Sequence, residues 1–138
     1  MKLEETSLDL RHLAGIDAQA LGVSREKHHR YLINDPTTEG ILLYQGDACV
    51  GYAYIAEGHI GPLAVAHSDH MATAFRTALA IAAGRGTAQV TAFVSGPSEA
   101  ALKAAVEAGM RITLPMVLMS SRDFGNWAQY LPRNPGFM

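Results

Sequence analysis

Residues 50–86 read VGYAYIAEGHIGPLAVAHSDHMATAFRTALAIAAGRG, and the rest of the chain is organised around this stretch. In its first part Val50, Tyr52 and Tyr54 fall on one face of a strand, and Cys49, Gly51, Ala53 and Ile55 on the other. Neither face is polar, so the strand is expected to be central and covered on both sides. Gly58-His59 offers a tight turn into a further strand over residues 60–65. Pro62 has no N–H to give a ladder, which implies a bulge or a local parting of strands there. A Ser68 or Asp69 cap then leads into Met71, Ala74, Phe75, Ala78, Leu79 and Ala82, a stripe at helical spacing closed by Gly84 and Gly86.

Upstream, Ser7 precedes Leu8, Leu10, Leu13, Ile16, Ala20 and Leu21, an apolar series of helical period ending at Gly22. Ser24 is the expected cap of a second helix, with Tyr31, Leu32 and His28 as its inner stripe, and Asp35-Pro36 stops it. His28 and His29 point about 100° apart on a helix, which suits surface or helix-packing roles better than a shared metal. Residues 41–44 form a short apolar strand, and Gly46-Asp47 turns the chain into the central one. Downstream, residues 87–94 read as a fourth strand, parallel to the third because a helix connects them. A last helix from Pro97 or Ser98 has Leu102, Ala105, Val106 and Met110 inside. Residues 112–119 (ITLPMVLM) are expected to be a final strand, interrupted by Pro115. The tail from residue 120 has no clear period.

With 138 residues the chain makes one domain, long enough to bury roughly two-thirds of its unfolded surface. Hydrophobic residues at 49% and charged ones at 17% fit a soluble globular protein, and no apolar run approaches the ~20 residues of a membrane span. The charged start MKLEETSLDL lacks the apolar region of a signal peptide, and a single Cys49 suits a reducing compartment, so a cytoplasmic location is expected. A net charge of -2 without a basic cluster argues against nucleic acid as partner.

The order helix, helix, three antiparallel strands, helix, strand, helix, strand is similar to the GNAT acyltransferase fold: α+β, an α/β/α sandwich with an antiparallel meander followed by β-α-β-α-β. GPLAV with the main helix carries the likeness, as does SEAALKAAVEAGM. The spacing from Ala20-Leu21-Gly22 through Val50-Gly51-Tyr52 to Ile60-Gly61-Pro62 resembles the C-terminal half of tandem-GNAT proteins. The resemblance implies acetyl-CoA as cofactor and a small amine as acceptor. Leu63, Ala64 and Val65 would then supply backbone groups in the parting between the third and fourth strands, and His70, Met71 and Thr73 the loop at the helix N-terminus.

Two departures weigh against catalysis. HSDHMATAF replaces the family's glycine-rich pyrophosphate loop, with Met71 and Thr73 where glycines let the backbone approach phosphate. The tyrosine that serves many GNAT enzymes as general acid corresponds to Ala105. Glu57 and His59 are the candidates for a general base, reaching an amine directly or through water; the plainer assignment is two polar residues in a solvated turn. His67, Asp69 and His70 have the local density of a metal site but no obvious third ligand, so no metal is assigned. Phe124, Trp127, Tyr130 and Phe137 suit a covered sheet edge or a neighbouring subunit, hence an expected homodimer. Two functions follow: an N-acyltransferase, or a non-catalytic GNAT-fold module for ligand binding or dimerisation.

Overall fold

The computed structural model describes residues 7–117 and 119–134. It is an α+β fold in which helices cover both faces of a mostly antiparallel sheet. α1 (Ser7–Leu21) buries Leu10, Leu13, Ile16, Ala20 and Leu21. It ends where Gly22, at φ 76°, returns its N–H to the Ala18 carbonyl at 3.1 Å, a left-handed stop that glycine adopts without strain. α2 (Glu26–Asn34) begins one residue later than a Ser24 cap would place it: Arg25 is the cap residue and its side chain makes no capping bond. The inner face is His29 and Leu32, while Tyr31 is 62% exposed. The phase of a short helix follows its strongest buried partners, and these belong to His29 rather than Tyr31. Asp35 closes α2 with a turn in which its carboxylate accepts the Thr37 N–H at 2.9 Å, the bond that chiefly lowers its pKa.

β1 (Thr38–Gln45), β2 (Ala48–Ala56) and β3 (His59–Val65) form the expected meander. The second turn is Glu57-Gly58, one residue earlier than the sequence suggests. Both residues have positive φ, 49° and 82°, the signature of the turn whose twist matches a hairpin. The β2–β3 register slips between Ala53 and Ile55, which face Leu63 and Ile60. Pro62 lies in that slip, as its missing N–H requires.

A single 3-10 turn (Ser68–His70) leads into α3 (Met71–Ala83). Neither Ser68 nor Asp69 caps it; instead the His67 ring accepts the Asp69 N–H. β4 is only Thr91–Ala92, parallel to β3 at His59 and Ile60. α4 (Glu99–Glu107) follows. No strand is assigned among residues 112–117 and Met119, and all of them are exposed. Pro115 cannot give a ladder bond, and two-residue β4 offers little edge to pair with. Leu118, within the expected strand, and the side chains of Leu8 and Phe137 lie outside the described residues. The tail instead contributes β5 (Tyr130–Leu131), antiparallel to β3, with Leu63 facing Leu131 and Ala64 facing Tyr130.

Alternation along the strands sorts two cores. Leu42, Tyr52, Tyr54, Ala64 and Tyr130 pack with α1 and Leu32 of α2. Ile41, Leu43, Ala53, Ile55, Leu63 and Val65 pack with α3 and α4. β2 and β3 are therefore covered on both faces, as two apolar faces demand.

Candidate functional site

β3 has one edge paired with β2 on either side of the slip at Gly61-Pro62, so β4 and β5 share the other. β4 takes its first two residues and then parts from it; β5 takes Leu63 and Ala64. The parting thus holds chain rather than space. Val65 donates its N–H to the Gln129 carbonyl at 2.9 Å. The Gln129 side-chain amide returns two bonds, to the carbonyls of Val65 at 3.2 Å and Ala66 at 2.8 Å, and its Oε1 accepts from Asn126 Nδ2 at 2.6 Å. Leu63, Ala64 and Val65 are all fully buried. Gly61, at φ 140°, lets the segment close: a Cβ there would stand 2.5 Å from the Pro132 carbonyl oxygen.

His59 ties down the far end. Its Nε2 lies 2.5 Å from the Arg133 carbonyl oxygen and its Nδ1 2.8 Å from Thr91 Oγ1. A carbonyl only accepts, so Nε2 donates to Arg133, and Nδ1 shares a hydrogen bond with the Thr91 hydroxyl. Both nitrogens are engaged in holding the tail and β4 to β3. Glu57 sits exposed at the apex of the turn. Met71 is buried core, whereas Thr73 is exposed and its carbonyl accepts the Thr77 hydroxyl at 2.9 Å. His70 and Thr73 line a shallow groove of about 420 Å³ between β1 and α3. The His67 and His70 rings stand 6.5 Å apart, and no group of three or more potential ligands is found among the described residues. No helix among them is long and apolar enough to cross a membrane.

The densest chemistry lies on the opposite face, where sequence reasoning did not place it. Asp17 is fully buried, and each carboxylate oxygen has one donor: Tyr52 OH at 2.6 Å on Oδ1 and His29 Nε2 at 2.5 Å on Oδ2. His29 Nδ1 in turn meets Tyr54 OH at 2.9 Å. Beside them Arg25 donates to Tyr130 OH at 3.2 Å and to His28 Nδ1 at 2.9 Å. Burial pushes the Tyr52, Tyr54 and Tyr130 hydroxyls well above their usual range, and the negative charge of Asp17 adds to it; for Tyr130, Arg25 pulls the other way. Burial and Arg25 lower the pKa of His28. The three phenols therefore remain protonated at neutral pH, and Tyr52 donates to a carboxylate that solvent does not reach. Such a network fixes helices to a sheet.

Asp17 carried a legible signal, an acid within the apolar stripe of α1, since a buried acid has to find partners. Gln129 carried none, because a two-residue strand has no period to detect. Of the expected cluster, Tyr130 is buried, Trp127 packs against the α1–α2 core, and Phe124 stacks edge-on against Trp127 at 5.3 Å. These aromatics serve mainly their own chain. Comparison of the chain with protein-family models, with characterised proteins and with solved structures finds no match in any of the three.

Proposed function

We propose that the chain is a GNAT-like domain without acyltransferase activity, a non-catalytic module that acts by association rather than turnover. The seat of β5 carries this reading. A GNAT-like acyl transfer needs the parting beside residues 63–65 open to the acyl arm, with an amide of that strand turned to the carbonyl. Here the Val65 amide already bonds Gln129, and Leu63 and Ala64 are paired with Leu131 and Tyr130. Acetyl-CoA does not fit these residues: Met71 is held in the core, and Thr73 stands where a phosphate needs a bare backbone. His59, whose ring nitrogens are both engaged, has no lone pair to offer an amine. The features favouring an enzyme reduce to the layered fold and an exposed Glu57.

Calorimetric titration with acetyl-CoA tests the proposal. No heat of binding up to millimolar cofactor is expected, and micromolar binding would overturn it. An amine screen run with acetyl-CoA is likewise expected to release no free thiol above the blank.

A further inference from the structure

The exposed apolar surface is not evenly spread. Val23, Tyr31 and Tyr44 are scattered singly, but Val106, Ile112, Leu114, Met116, Val117 and Met119 are all exposed within one stretch, with Val117 at 86% and Met119 at 85%. Scattered apolar residues are ordinary on a monomer, whereas five within residues 112–119 are not. A standard protein interface takes about 800 Å² from each partner, and large apolar side chains that are 49 to 86% exposed are the material for one.

Beside this stretch lies an open groove of about 580 Å³ between α3 and α4, lined by Leu79, Ala80, Ala83, Val90 and Met110. Arg76 is the charged residue in its wall, and Glu107 pairs with it at 3.0 Å. Residues 106–119 carry two charges, Arg111 and the Glu107 that pairs with Arg76, and residues 112–119 carry none. Neither surface therefore calls for a charged partner; each calls for the other. Met110 forms part of the groove and Ile112 begins the uncovered run two residues later, so both surfaces start at the same point of one molecule.

We infer that the chain forms a two-fold dimer in which residues 112–117 of each copy lie in the α3–α4 groove of the other. A second copy supplies an apolar segment of matching character, and reciprocal exchange closes the assembly without leaving either surface open. The inference stands on this surface and not on the state of the acyl cleft, so oligomer measurement and cofactor titration succeed or fail separately.

Sedimentation velocity from about 1 to about 100 µM, a range that brackets a micromolar dissociation constant, tests it. The unmodified chain is expected to sediment as a dimer at the upper end. Val117→Asp on the segment and Ala80→Arg in the groove change exposed positions, and each is expected to weaken the dimer by more than about tenfold. Their thermal melts, followed by circular dichroism at a concentration where all forms are monomeric, are expected to match the unmodified chain. An equimolar mixture of the two variants should regain a heterodimer, because one intact segment then meets one intact groove. A monomer throughout the range would overturn the inference, as would a dimer indifferent to both substitutions or a mixture that regains nothing.

Discussion

Asp17 is a charge that the fold has taken out of water, a step that costs several kcal/mol unless the carboxylate is fully hydrogen-bonded. Tyr52 and His29 meet that condition, one donor to each oxygen. Asp17→Ala strands both donors in the interior and is expected to destabilise the chain by about 3 to 5 kcal/mol. Tyr52→Phe removes one bond to the carboxylate and should cost about 1.5 to 3 kcal/mol. Urea unfolding midpoints measure both, and equal midpoints for the two variants would contradict the unequal roles. At this scale the sequence shows that Asp17 is inside, from its place among Leu13, Ile16 and Ala20. It does not show with whom, because the partners lie 12 and 35 residues away. Likewise the sequence points to His28 as part of the inner stripe of α2, whereas the phase of the helix buries its neighbour His29.

Among the elements, the meander and the main helix were legible because each buries a regular face over seven or more residues. β4 was legible in place and direction but not in its two-residue length, and β5 was not legible at all, since such short strands are defined by what they pair with rather than by pattern. The β3–β5 closure depends on the bare backbone of Gly61. Gly61→Ala would press a Cβ against Pro132 at a φ of 140°, and a loss of about 2 kcal/mol is expected. Gly15, inside α1, meets nothing within 4 Å, so Gly15→Ala should stabilise by about 0.5 to 1 kcal/mol. Thermal melts of the pair give opposite signs if the closure is as described. Hydrogen exchange at the Val65 amide should accelerate in Gly61→Ala and stay unchanged or slow in Gly15→Ala.

For the whole molecule, the buried groups define a pH window. Tyr52, Tyr54 and Tyr130 have pKa values raised above 10.0 in the fold. The unfolded chain therefore releases these protons first as pH rises, and stability falls above about pH 10. His28 is lowered from 6.5, so as pH drops below that value the unfolded chain takes up its proton first, and stability falls there too. Asp35, lowered from 3.8, adds a loss at still lower pH. Urea midpoints against pH should form a plateau between about 6.5 and 10. Tyrosinate absorbance near 295 nm, followed through the alkaline limb, should show three of the five tyrosines ionising only as the chain unfolds. Three tyrosinates appearing with the fold intact would contradict their burial.

The bond from Val65 to Gln129 also bears on the order in which the molecule is made. The acceptor is translated 64 residues after its donor, an interval of roughly 3 to 13 s at about 5 to 20 residues per second. Throughout that interval β3 exists without the strand that covers Leu63 and Ala64 on its open edge, and an uncovered edge invites pairing with other chains. Completion of the sheet waits for residues made after α4, and a ribosome that stalls there would present to the cell a nascent chain with the β3 edge beyond β4 unprotected.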